Sequence, residues 1–251
     1  MAFIDHFSEK SDLYARARPT YPDALFDFIA SRAPARDRAW DCATGSGQAA
    51  QGLARHFGLV EATDASGEQI AHAIPNAQVR YSVQPAEKTG FAARSFDAVC
   101  VAQALHWFDL DRFYAEAKRA LKPGGVFAAW GYAKHAVAPD FDAAFAGHFL
   151  APLRPYWPAE NAKLWAGYRE VAFPFEPIEA PSFAIEMRWS LAELIAYGGT
   201  WSATRRYIAA AAPDFLERSA EALAPAWGRD ERRLVTLPLH FRCGRHADVL
   251  S

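Results

Sequence analysis

Two aspartates flank a glycine turn in this chain. Asp41 precedes Ala43-Thr44-Gly45-Ser46-Gly47-Gln48, and Asp64 closes the run L-V-E-A-T-D. A carboxylate accepts hydrogen bonds and attracts cations. A glycine turn between a strand and a helix offers backbone N–H groups to an anion. An acidic residue about 20 positions beyond such a turn is where a doubly wound fold places the carboxylate that receives ribose hydroxyls. The combination implies a nucleoside-cofactor site. Taken alone, Gly45-Ser46-Gly47-Gln48-Ala49-Ala50 also satisfies G-x-G-x-x-A, the dinucleotide fingerprint of NAD(P)-dependent oxidoreductases. Tyr114 and Lys118 even reproduce a Tyr-x-x-x-Lys pair like that of short-chain dehydrogenases. That spacing arises on any polar helix face, however, and no serine stands about one strand upstream.

The elements that must hold this turn alternate along the chain. Arg38–Cys42 reads as a strand, and Ser46–Phe57 as a helix with Ala49, Ala50, Leu53, Ala54 and Phe57 inward. Leu59–Asp64 and Val79–Val83 are strands, with a helix over Ser66–Ala73 capped by Ser66. Phe96–Ala102 is a continuous apolar run, the pattern of a strand buried on both faces. Asp109 caps a helix reaching Leu121; Lys122-Pro123-Gly124-Gly125 is a turn; Val126–Tyr132 is a fifth strand. Strand and helix in alternation imply a doubly wound, mostly parallel sheet of seven strands, a Rossmann-like α/β fold.

Outside this region the rhythm changes. Residues 1–35 read as an N-terminal lid segment, Tyr14–Tyr21 being rich in Arg, Tyr and Pro, followed by a helix. Residues 36–132 are the cofactor-binding core, and 133–180, with many Pro and aromatic residues, an inserted helical cap. Residues 181–251 supply C-terminal strands (Ser182–Trp189 and Leu234–Phe241) and substrate-side helices, one opened by the capping box Ser190-Leu-Ala-Glu193. One domain accounts for residues 1–251.

Bulk properties narrow the function. A net charge of −2 with 22% charged residues provides no basic field for nucleic acid or an anionic membrane. No apolar run approaches the roughly 20 residues of a membrane span. Three cysteines without a C-x-x-C pair suit reduced thiols in the cytoplasm. The scattered histidines form no ligand set, so no metal is expected. Aromatics make up 14% of the chain, with eight Trp, and many fall after residue 105, so an aromatic-walled pocket is expected there.

Read from Asp41, the turn becomes D-x-A-x-G-x-G, and here the chain resembles the class I S-adenosylmethionine-dependent methyltransferases. Ala43 stands where that family usually has a glycine; an alanine fits if position 43 does not need a positive φ. Asp64 ends the second strand, Ala86-Glu87 follow the third, Gln103-Ala-Leu-His106-Trp107 follow the fourth, and Leu121–Gly125 precedes the fifth. The flanks Tyr14–Pro22 and Thr200–Ala203 resemble the "type 11" small-molecule branch, similar to the trans-aconitate methyltransferases.

The resemblance implies S-adenosyl-L-methionine as cofactor, and the implied binding set is Asp41, Ala43, Gly45, Gly47, Gln48, Asp64, Ala65, Gln69, Ala86, Glu87 and Gln103. The Gly45–Gln48 turn would receive the methionyl carboxylate, Asp41 would hold the turn or attract the ammonium, Asp64 would receive the ribose, and Ala86-Glu87 the adenine edge. His106 and His135 are the candidates near the reacting methyl group. Methyl transfer is a displacement at a sulfonium, so the protein mainly positions the reactants, and a base matters only for a protonated nucleophile. A small-molecule acceptor is expected, and a carboxylic acid in that role would need a cationic clamp instead. Trp201 and Arg205 lie four residues apart with Arg206 adjacent, a spacing suited to bidentate carboxylate binding. Tyr14, Arg18, Trp107 and Tyr132 complete the expected substrate set. A non-catalytic S-adenosylmethionine-binding protein is the remaining alternative, and the expected state is a monomer or homodimer.

Overall fold

The computed structural model describes residues 19–247. Its main sheet holds β1 (Arg38–Cys42), β2 (Leu59–Asp64), β3 (Val79–Val83), β4 (Phe96–Ala102), β5 (Leu121–Gly131), β6 (Glu176–Pro177) and β9 (His240–Arg245). The spatial order is β3-β2-β1-β4-β5-β9-β6. The first five are parallel to one another; β9 runs antiparallel to both β5 and β6. The strand order reverses between β1 and β4, which places the glycine turn at the switch point where open α/β sheets bind ligands.

Burial follows from strand parity. Along β5, Phe127 faces one side and Trp130 the other. Phe127 meets Phe113 of α4 (Leu110–Ala120) at 5.9 Å between ring centroids, while Trp130 meets Phe26 of α1 (Asp23–Arg32) at 6.1 Å. Helices therefore cover both faces, and β4 is buried from Phe96 to Val101. Two shorter helices, α2 (Gln48–Leu53) and α3 (Gly67–Ala71), follow β1 and β2.

Asp97 fastens the amino-terminal end of this sheet. Fully buried, its Oδ2 accepts from the N–H groups of Asp37 and Arg38, and its Oδ1 receives the Lys122 ammonium at 2.7 Å. The Lys122–Gly125 turn is thereby absorbed into β5. Pairing with β4 steps from Phe96↔Leu121 directly to Ala98↔Val126, so these four residues loop out of the ladder, with Gly124 at φ +71°.

Residues 21–133, 162–184 and those from 238 onward form this sheet unit, and 134–161 with 185–237 form a second compact unit. The second unit holds α5 (Pro139–Phe145), extended by a π turn (Ala146–Leu150) and α6 (Ala151–Leu153). It also holds α8 (Leu191–Gly199), α9 (Ser202–Ala210), α10 (Phe215–Trp227) and a two-stranded sheet of β7 (Ala184–Trp189) and β8 (Arg233–Pro238). Its interior is aromatic: Phe149 stacks on Phe145 at 4.7 Å and touches Phe215 and Trp201. The Ser190–Glu193 capping box is present in full.

These units redraw the expected boundaries. The insertion does not run unbroken over 133–180, because α7 (Asn161–Trp165) leads back into the sheet unit, where Glu176–Pro177 pairs with β9. The expected last strand, Leu234–Phe241, is two strands. β8 ends at Pro238 and belongs to the small sheet, and β9 begins at His240 in the main one. Pro238 has no N–H to continue a ladder, which suits it to the break.

Candidate active site

The backbone after β1 is wound tightly to the left. Ala43 (φ +54°), Gly45 (φ +57°) and Gly47 (φ +95°) all adopt positive φ. Glycine does so freely; alanine carries a Cβ penalty of about 1–2 kcal/mol. The condition that made Ala43 an easy substitute for glycine is therefore not met, and the position is strained. At Gly47 the requirement is also steric, since a Cβ there would collide with the Tyr81 hydroxyl.

Asp64 holds this turn shut. Its Oδ2 accepts from Gly45 N and its Oδ1 from Ser66 N, both at 2.9 Å. Each oxygen retains a second lone pair for a hydroxyl donor. Gly47 N is committed to the Thr44 carbonyl at 3.0 Å. Two of the N–H groups expected to meet a ligand carboxylate thus serve the turn itself. Ala65 and Gln69 are exposed beside it, and the Gln69 amide oxygen lies 3.8 Å from where a Gly45 Cβ would be.

Asp41 is fully buried on β1. Its Oδ2 accepts from Thr44 Oγ1 at 2.5 Å, while the buried Oδ1 has no hydrogen-bond partner among the described residues. Burial pushes its carboxyl up to about 7, against the opposing pull of the Thr44 hydroxyl bond and of the nearby Ala50 N–H dipole, and the Asp64 charge adds to the rise.

Ala86 is buried after β3, and Glu87 accepts from Asp109 N at 3.2 Å, joining the adenine-side loop to the start of α4. Gln103, at the end of β4, takes a left-handed φ of +58°. Its side-chain amide pairs with the backbone of Tyr132 in both directions, donating at 3.1 Å and accepting at 3.2 Å. This is a clamp between the carboxyl ends of β4 and β5, and it occupies the amide expected to face the cofactor. Tyr132 is positioned by the same two bonds.

His106 and Trp107 sit on a short turn (Leu105–Trp107) directly after β4, with rings 4.8 Å apart. His106 is buried, and its Nδ1 lies 3.1 Å from the Tyr168 hydroxyl. Sequence reasoning missed Tyr168, because nothing near it in the chain marks it as buried beside β4. Tyr114 and Lys118 prove to be packing residues: Tyr114 lies among Phe113, Phe127 and Phe175, and Lys118 sits over the Phe175 ring.

The remaining candidates belong to the helical unit. His135 packs edge-on against Phe145 at 4.3 Å, and burial lowers it to about 4, so it is neutral at physiological pH. Trp201 precedes α9 and enters the aromatic cluster of Phe149, Trp157 and Tyr197. Arg205 and Arg206 are exposed on α9, and the Arg206 guanidinium donates to the Tyr156 carbonyl at 3.3 Å. His106 and His135 thus fall in different units. Tyr14 and Arg18 lie outside the described residues. Among the described residues no helix is long and apolar enough to cross a membrane.

A methyltransferase-domain family model matches residues 40–129. A Dictyostelium discoideum protein assigned as a methyltransferase is 33% identical over 229 residues, 90% of this chain and 87% of its own. An uncharacterized methyltransferase of Mycobacterium tuberculosis is 34% identical over 122 residues, 47% of this chain and 49% of its own. A solved structure from Anaeromyxobacter dehalogenans, described as a type II methyltransferase, is 45% identical with a TM-score of 0.85, over 92% of this chain and 98% of that one. The chain belongs to the S-adenosylmethionine-dependent methyltransferases.

The site's own chemistry fits S-adenosylmethionine. The unpartnered Asp41 Oδ1 is a buried acceptor that needs a donor, and the methionyl ammonium is one. Asp64 retains acceptor capacity suited to the ribose hydroxyls.

Proposed function

We propose that this methyltransferase acts on a small molecule and that its acceptor is a carboxylic acid, in line with the resemblance to the trans-aconitate methyltransferases. The observation that carries the reading is the pair His106–Trp107. An indole ring, 52% exposed, stands beside one buried imidazole immediately after β4, a platform scaled to a small ligand. A polymeric acceptor would call for an extended basic surface, and the chain carries a net charge of −2.

S-adenosylmethionine supplies a methyl group on a positively charged sulfur, which leaves as a neutral thioether. The carboxylate oxygen forms the new O–C bond as the C–S bond breaks, and that electron pair stays on sulfur. Both formal charges vanish, the product is a methyl ester, and no proton moves. The protein's task is orientation and exclusion of water. Asp41 and Asp64 hold the donor, Gln103 fixes the strand ends beside it, and His106 and Trp107 receive the acceptor. His135, buried and neutral, has no proton to take for a carboxylate.

A panel of small acids, phenols and amines, assayed with methyl-labelled cofactor, tests this reading. Label in a base-labile ester is expected. Label confined to phenols or amines would overturn the acceptor class. Tight cofactor binding with no transfer across the panel would favour a non-catalytic binding protein.

A further inference from the structure

We propose that Tyr168 is a positioning residue for the acceptor: it holds His106 in the tautomer whose proton is on Nε2, so that His106 meets the acceptor as a hydrogen-bond donor and not as a base. This deepens the reading of the acceptor as an ionised acid and rests on it. Tyr168 is fully buried and adopts a left-handed φ of +56°, directly after Gly167 at +66°. A bulky residue at positive φ is rare and persists only where its surroundings over-determine it. Here Arg242 of β9 does so. Its Nη1 donates to the carbonyls of Tyr168 (2.8 Å) and Val171 (2.6 Å), and its guanidinium lies 4.3 Å from the centre of the Phe173 ring.

The hydroxyl so placed has a defined partner. Burial raises the Tyr168 hydroxyl above its ordinary range, so it keeps its proton. A buried O–H must find an acceptor, and His106 Nδ1 lies 3.1 Å away. A neutral imidazole has one donor and one acceptor nitrogen, so a bond accepted at Nδ1 puts the proton on Nε2. Space for the hydroxyl comes from Gly131. A Cβ there would stand 3.3 Å from the Tyr168 oxygen and 2.6 Å from Gln103 Oε1. An N–H donor at the carboxyl end of β4 suits an anionic oxygen, which needs orientation and no deprotonation.

Imidazole 15N shifts of labelled protein at about pH 8, above the ordinary histidine range, test the tautomer directly, with His106→Gln to assign the signals. The wild type is expected to show an unprotonated Nδ1 and a protonated Nε2 at His106. Tyr168→Phe is expected to give a mixed population. Its KM for the acceptor acid should rise in inverse proportion to the fraction of His106 left with the proton on Nε2, about twofold for an even mixture, with kcat and S-adenosylhomocysteine affinity nearly unchanged. A wild-type proton on Nδ1 would overturn the proposal, as would a Tyr168→Phe enzyme with unaltered KM. The tautomer measurement needs neither the variant's stability nor any acceptor. A protein that methylates no acid yet shows the Nε2 proton defeats the acceptor reading and leaves the tautomer standing.

Discussion

Thr44 Oγ1 donates to Asp41 Oδ2 at 2.5 Å, while the other oxygen of the same buried carboxylate has no hydrogen-bond partner among the described residues. Half of the carboxylate is satisfied and half awaits a donor. With its carboxyl raised to about 7, Asp41 changes charge in the physiological range. Only its ionised form attracts an ammonium. S-adenosylhomocysteine affinity is therefore expected to rise about tenfold per pH unit up to about pH 7 and to level off just above it. Calorimetry in buffers of different ionisation enthalpy should find proton release on binding near pH 6. A flat profile would separate Asp41 from the ammonium.

The same group sets a stability trend. An unfolded aspartate titrates near 3.9, so between about pH 4 and pH 7 the folded protein binds the extra proton and loses stability as pH rises. The loss is on the order of 4 kcal/mol and levels off above pH 7. Asp41→Asn is expected to raise the denaturation midpoint of the ligand-free protein at pH 8 while weakening cofactor binding. A lowered midpoint would mean the carboxylate is not held at a cost.

Asp64 has two tasks, closing the turn and receiving the ribose. Asp64→Ala should weaken S-adenosylhomocysteine binding by about 1.5–3 kcal/mol, the scale of hydrogen bonds to a charged group. It should also lower the melting temperature, because Gly45 N and Ser66 N lose their acceptor. Loss of affinity alone, with unchanged melting, would show that the turn closes without it.

Ala43 offers a gain. Replacing it by glycine relieves the Cβ penalty of about 1–2 kcal/mol and forfeits about 0.5–1 kcal/mol through the freer unfolded chain. Ala43→Gly is expected to stabilise the protein by about 0.5–1 kcal/mol in urea unfolding. Destabilisation would contradict the left-handed backbone at this position.

Much of this was readable from residue pattern because the signals are local. Ser66, Asp109 and Ser190 announce helix starts, and each accepts the expected backbone hydrogen bond. The apolar run Phe96–Ala102 is a strand buried on both faces because it is flanked in the middle of the sheet. What escaped depends on distant partners. Alternation along Leu234–Phe241 reports a strand but not which of two sheets pairs with each half. Glu176–Pro177 is too short and too exposed to carry any periodicity. The burial of Tyr168 depends on Arg242, 74 residues further on. Gln103 was read as facing a ligand because its strand end does; its amide instead completes the hydrogen bonding of Tyr132.

The place of β9 governs how the protein can be assembled. It lies between β5 and β6, although both precede it by more than 60 residues. A chain emerging from the ribosome can pair β1 to β5 as they appear, but β6 has no neighbour until His240–Arg245 is made. Joining such remote segments is slow, since the loop entropy is lost before any contact forms. The late strand also delivers Arg242, so the turn that carries Tyr168 to His106 is secured only in the last step of sheet closure.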